Sequence, residues 1–199
     1  MDFKFSLNEA ISSAGYDLAK SDFWQYSKNL SAAIIIPGVA AALGASLAEY
    51  SRTATLAHFV QSTFPSSEAF DFFRYNMKNG FQGVTYYLVT AAAVAQYQLE
   101  ELGRNFKDQP TISFHEARKA VTKPLLTLSL VGIVGSAGWE YSNILLNKTH
   151  AFDLSDFLNE SGGITLGAAY AMTMAYVVDP VRRFSPKTLI KSIFSHGRT

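Results

Sequence analysis

Charged side chains leave the chain four times. No Asp, Glu, Lys or Arg stands between Asn29 and Ala48, between Asn79 and Leu99, or between Ser161 and Val178, and from Pro124 to Asn147 the one charge is Glu140. Each run is about 18 to 24 residues, roughly 27 to 36 Å as helix, enough to cross the hydrocarbon core of a bilayer. The pattern predicts an all-α fold: a polytopic membrane helical bundle of about four spans, near 30–48, 81–99, 124–146 and 161–178, with short amphipathic surface helices between them. Residues 1–199 read as a single domain. The competing reading is a soluble or partly embedded helical bundle.

The segments outside the spans carry helical periodicity of their own. Ser6-Leu-Asn-Glu9 is a capping-box pattern, and Leu7, Ile11, Ala14 and Leu18 follow at helical spacing, predicting a helix over 6–19. Leu56, Phe59 and Val60, then Phe70, Phe73 and Met77, predict two short amphipathic helices broken at Phe64-Pro65-Ser66, with Asn79-Gly80 as a helix stop. Ser113-Phe-His-Glu116 is a second capping box, and Arg118, Lys119 and Lys123 after it read as a solvated basic face. Ser185-Pro186 opens a basic amphipathic helix in the tail, with Leu189, Ile190, Ile193 and Phe194 opposite Lys187 and Lys191.

Inside the spans, small residues recur. Ala40, Gly44 and Ala48 lie four apart in the first; Gly132, Gly135 and Gly138 punctuate the third; Gly163, Gly167, Ala171 and Ala175 form a stripe in the fourth. Such stripes let helix backbones approach closely in lipid, and they predict tight contact between spans three and four. Pro37 predicts a kink in span one. Gln82, Gln96 and Gln98 in span two are costly in lipid and are expected to face protein or the interface, and Tyr86-Tyr87 to pack with their hydroxyls paired.

Composition sharpens the picture. Charged residues make up 17% of the chain, against roughly 25% in soluble proteins. A net charge of +1 gives no basic field for nucleic acid, and the absence of cysteine removes disulfides, thiolate zinc sites and a cysteine nucleophile. No Gly-rich phosphate loop, nucleophile elbow or zinc-binding His pair is present, so no cofactor or metal is expected. Of the 17 Lys and Arg residues, those of the N-terminal region, the 100–123 connection and the tail number thirteen. The positive-inside rule then places both termini in the cytoplasm and the 147–160 segment outside.

That segment holds the candidate chemistry. Trp139, Glu140, Asp153, Asp156, Asn159 and Glu160, with His150 nearby, can converge at the outer mouth of the hairpin formed by spans three and four. On a helix, Asp153, Asp156 and Glu160 share a face through i, i+3, i+7 spacing, suited to a cation or a hydroxyl-rich headgroup. Glu140 with Asp153 or Asp156 is the candidate catalytic set; the plain alternative is that Asp156 or Asn159 caps the fourth helix and the bundle is purely structural.

Asp153-x-x-Asp156 followed by Gly163 and Gly167, with Glu140 in the preceding span, resembles the VanZ-like family of small bacterial membrane proteins. Trp139-Glu140-Tyr141, with Gly83 and Tyr86-Tyr87, is similar to bacterial envelope proteins carrying a W-E-Y motif. The chain departs from these patterns at Asn143, at Asn159-Glu160 and at Asn79-Gly80. The resemblance implies a bacterial envelope protein of the inner membrane (alternatively the periplasm or outer membrane). Its partners would be membrane lipid and a lipid-like or cell-wall-linked ligand, another envelope protein or a second copy.

Overall fold

A proline inside a helix removes one backbone donor and frees the carbonyl four residues earlier. Pro37 does this in α1 (Lys20–Tyr50), yet the helix runs through it. The freed carbonyl, that of Ala33, accepts a hydrogen bond from the Tyr170 hydroxyl at 3.0 Å. The lost intrahelical bond is thereby replaced by one that ties two helices together. A computed structural model describes residues 17–50, 67–147 and 152–178 of the chain.

Among the described residues, four long helices run up, down, up and down: α1, α2 (Ser67–Asn105), α3 (Phe114–Asn147) and α4 (Leu154–Val177). Two three-residue strands, β1 (Asp17–Ala19) before α1 and β2 (Thr111–Ser113) before α3, pair antiparallel with Leu18 opposite Ile112. Two of the helices, over Lys20–Leu47 and Phe114–Leu146, are long and apolar enough to cross a membrane.

The element boundaries correct several expectations. Leu18 belongs to a strand, not to a helix over 6–19, whose earlier residues lie outside those described. Asn79-Gly80 is no stop: α2 passes straight through it, so residues 67–78 extend the helix. The 100–123 connection is mostly helical, and only residues 106–113 link α2 to α3. The predicted short helices within 51–66 and in the tail beyond Val178 lie outside the described residues.

The stretch around Asn79-Gly80 is instead where α2 and α4 come closest. A Cβ at Gly163 would overlap the Gly80 carbonyl oxygen, and a Cβ at Gly83 would overlap the Glu160 carbonyl oxygen. Backbone lies on backbone there, a contact that only glycine permits and that fixes α2 and α4 side by side, running parallel. Lower down, a Cβ at Gly167 would stand 3.1 Å from the Tyr87 ring. The small stripe of span four therefore faces span two, not span three as predicted. Of the span-three glycines only Gly132 faces α4, against Ile164; Gly135 and Gly138 meet nothing within 4 Å. In α1 the close approach to α2 uses Gly38 and Gly44, against Leu88 and Phe81, while Ala40 is exposed.

Packing is graded along the bundle axis. Between the mid-sections of the helices the buried side chains are mostly small: Ala33, Ala41, Ala91, Ala92, Ala95, Ala168 and Ala171. Large apolar side chains point outward instead, including Ile35, Ile36, Val39, Leu43 and Leu47 on α1 and Leu126, Leu130, Val134 and Leu145 on α3. At the strand end the core is made of large residues: Leu18, Phe23, Tyr26, Leu99, Ile112 and Phe114 are all fully buried. Arg118 belongs to this plug and not to a solvated face. Only 4% exposed, it lies 4.0 Å over the Phe114 ring and donates a 2.8 Å hydrogen bond to the Tyr176 carbonyl. The Tyr26 hydroxyl donates to the Ala175 carbonyl at 2.7 Å. Both bonds satisfy carbonyls in the last turn of α4, where the helix can no longer do so. Lys119 and Lys123 are exposed, as expected.

Candidate functional site

At the opposite end from the strands, the helices part. α2 and α3 are joined lower down by a 2.8 Å hydrogen bond from the buried Tyr87 hydroxyl to the Leu125 carbonyl. Above it they enclose a cleft of about 640 Å³ whose far wall is α4. That volume is in the range of small-molecule sites. From Leu128 to Glu140 the cleft follows α3 for about 18 Å at 1.5 Å per residue.

Three polar stripes line it, each set by helical spacing. α2 contributes Asn79, Gln82, Tyr86 and Thr90; α3 contributes Ser136, Trp139 and Glu140; α4 contributes Asp156 and Glu160. Leu128, Gly132 and Ile164 make the lower part apolar. The carboxylates sit at the wide end, where α4 begins. Asp153 is the N-cap of α4, and its side chain accepts the Asp156 N–H at 3.1 Å. Asp153, not Asp156 or Asn159, is thus the capping residue, and the helix starts seven residues before the predicted span. Asp156 and Glu160 lie on its first turns, where the positive end of the helix dipole favours acids.

Each acid has a donor. The Asn79 side-chain amide donates to Asp156 at 2.5 Å, and the Ser136 hydroxyl donates to Glu160 at 2.8 Å. Glu140 receives the backbone N–H of Asp153, and the carboxyls of Asp156, Asp153 and Glu160 act on it through space. None of the described residues lining the cleft is basic. Among the described residues no three acidic or histidine side chains converge closely enough to hold a metal ion.

The predicted site residues separate into groups. Trp139, Glu140, Asp156 and Glu160 share the cleft. Asp153 serves it through its cap and its backbone N–H. Asn159 turns away, donating to the side chains of Asn76 and Ser155. His150 lies outside the described residues. Tyr86 and Tyr87 divide: Tyr87 is buried and bonded, whereas Tyr86 is 60% exposed on the cleft wall. Gln82 lines the cleft, while Gln96 donates to Glu100 on the exposed surface. Sequence reasoning missed Asn79, Thr90 and Ser136 as site residues. The signal was present: Asn79, Gln82, Tyr86 and Thr90 repeat at i, i+3, i+7 and i+11, a polar stripe along one face of a charge-free helix segment.

No family model, curated protein or solved structure matches the chain.

Proposed function

We propose that this chain is a four-span integral membrane protein of a bacterial envelope, in the inner membrane, whose cleft binds a lipid-like amphiphile from the surrounding bilayer. The observation that carries the reading is a cleft with carboxylates at one end and apolar walls at the other, between helices that turn their large apolar side chains outward.

Three further features support it. α3 bears exposed apolar residues from Leu126 to Leu146, a length of roughly 30 Å, the thickness of a bilayer core. Without a hydrophobic drive between helices, membrane bundles rely on small residues for close packing, and that is the composition of the mid-section here. The charge-free stretch of every helix, bounded by Lys28 and Glu49, Lys78 and Glu100, Lys123 and Glu140, or Glu160 and Asp179, measures roughly 25 to 33 Å. In the up-down arrangement these stretches lie side by side. The acidic end then lies in the outer headgroup layer, and the strand end, with Lys20, Arg104, Lys107, Lys119 and Lys123, faces the cytoplasm. An amphiphile entering from the bilayer would place its head among the acids and its tail along Leu128, Gly132 and Ile164.

Alkaline phosphatase fusions at Asp108 and at His150 test the placement. Activity at His150 with none at Asp108 is the expected result. The reverse pattern overturns the orientation, and equal signals overturn the four-span reading.

A further inference from the structure

The two long walls of the cleft differ in kind. α2 offers Gln82, Tyr86 and Thr90 at i, i+4 and i+8, a ladder of amide and hydroxyl groups about 12 Å long. α3 offers Gly132, Gly135 and, at the mouth, Trp139: two positions without a side chain and one flat ring. We infer that the head of the ligand is a sugar, its hydroxyl rim on α2 and a C–H face on α3, an inference that rests on the membrane-cleft reading.

The ladder comes first. Among the described residues the side chains of Gln82, Tyr86 and Thr90 have no hydrogen-bond partner. Thr90 is unlike the other threonines of the described helices. Thr85, Thr122, Thr127, Thr165 and Thr173 each turn the hydroxyl back onto the carbonyl four residues earlier. Thr90 does not, and it lines the cleft. Amides and hydroxyls both donate and accept, as the hydroxyls of a sugar do. The cleft is open and water reaches this wall. An alkyl chain laid along it would displace that water and leave the polar groups unpaired, which loses affinity, whereas a hydroxyl-rich ring replaces each bond. Gln82 and Tyr86, about 6 Å apart along the helix, span one ring. Thr90, one turn deeper, then meets the oxygen that joins ring to tail. The smooth wall comes second and independently. The C–H face of a sugar ring is apolar and needs a surface without projecting side chains. No atom stands within 4 Å of where a Gly135 Cβ would lie, and the negative face of the Trp139 ring attracts C–H edges. The acids do not decide the matter. Asp156 and Glu160 already accept from Asn79 and Ser136, and a neutral ring needs no counter-charge.

The chain has two tryptophans, and Trp24 packs on Gly103 near the strand end, far from the cleft. In a Trp24→Phe background, fluorescence therefore reports Trp139 alone. The protein, purified in octaethylene glycol dodecyl ether, is titrated with dodecyl glucoside, with dodecylphosphocholine and, for a head without a tail, with glucose. Saturable binding of dodecyl glucoside is expected, at least about tenfold tighter than dodecylphosphocholine, as two or more neutral hydrogen bonds account for. Glucose should give no saturable change. Tyr86→Phe and Thr90→Val each delete a hydroxyl that no described residue uses, so the thermal midpoint should hold. Each should weaken dodecyl glucoside about three- to tenfold, the loss of one hydrogen bond. Gly135→Leu, which fills the smooth wall without meeting another atom, should weaken both amphiphiles.

Equal binding of dodecyl glucoside and dodecylphosphocholine overturns the sugar while the cleft reading stands. Glucose binding as tight as that of its dodecyl glycoside overturns the lipid-borne head. Failure of all three ligands to saturate overturns both proposals. Unchanged binding of dodecyl glucoside in Tyr86→Phe, Thr90→Val and Gly135→Leu, with midpoints intact, shows that the ligand sits elsewhere and overturns the assignment to this cleft.

Discussion

Two faces of the bundle use glycine in opposite ways. Where α2 meets α4, Gly83 and Gly163 bring backbone onto backbone, with no space for one added carbon at either. On the outer half of α3, Gly135 and Gly138 face open space. The residues are the same type, and on one helix or the other they recur at similar spacing. The first set is there for contact, the second for vacancy. Glycine content by itself therefore does not identify a packing interface. What distinguishes the two is the neighbour, and the neighbour is a property of the assembled bundle.

Replacing one glycine from each face should give opposite results. Gly83→Leu requires α2 and α4 to separate, because the obstruction is the Glu160 carbonyl and not a side chain that can rotate. Overpacking of this kind costs about 1–3 kcal/mol and occasionally more, and a backbone obstruction belongs at the upper end. Gly167→Leu should cost less, since the Tyr87 ring it meets can adjust. Gly135→Ala should be neutral or stabilising by about 0.5–1 kcal/mol, because alanine loses less conformational freedom in a helix and meets nothing here. Thermal unfolding of the three variants in detergent is the measurement. A stable Gly83→Leu would show that the α2–α4 contact is not close in the folded protein.

The seam side of the bundle also includes the Pro37 device. Tyr170→Phe removes the donor to the Ala33 carbonyl, which Pro37 has already deprived of its intrahelical partner. An acceptor left without any donor away from water costs about 1–3 kcal/mol. The double variant Pro37→Ala with Tyr170→Phe should recover most of the loss, because an alanine in place of the proline restores the backbone donor. Absence of recovery in this cycle would show that Tyr170 contributes through its ring and not its hydroxyl.

The comparison also explains what could be read from the chain beforehand. Charge-free runs located four helices, since charge avoidance acts on every residue of a buried or lipid-facing segment. Their ends were misplaced, because Asn79-Gly80 resembles a terminator when local rules are applied alone, whereas α2 continues through it and the Gly80 carbonyl packs against Gly163 of α4. The stripe on span four was legible as a face, but periodicity carries no information about which helix covers that face. Arg118 looked solvated beside Lys119 and Lys123 until the aromatic plug and the end of α4 were in place. The strands were too short, at three residues each, for alternation to register. At the site, the acids were legible because charge is rare in this chain. Ser136 and Asn79 were not, since their role comes from the acids they face across the cleft.

The smallest expected effect on stability concerns Glu140. Its carboxyl lies among three others, Asp153, Asp156 and Glu160, with the Asp153 backbone N–H as its donor. Gln at this position keeps a side-chain oxygen of the same reach, so the bond from Asp153 N–H survives, and one member of a like-charged group is removed. The gain from lower repulsion and the loss of a charged acceptor work against each other in a side chain that is only partly buried. Glu140→Gln should therefore shift folding stability by no more than about 0.5 kcal/mol in either direction, the range of substitutions that create neither a cavity nor an orphan. The seam glycines, by contrast, are there for packing, and their replacement shows directly in thermal stability. If Glu140→Gln lowers the thermal midpoint as far as Gly83→Leu does, the carboxylate is part of the packing of the bundle, and the division between a closed seam and an open cleft fails at the residue that stands at the cleft's mouth.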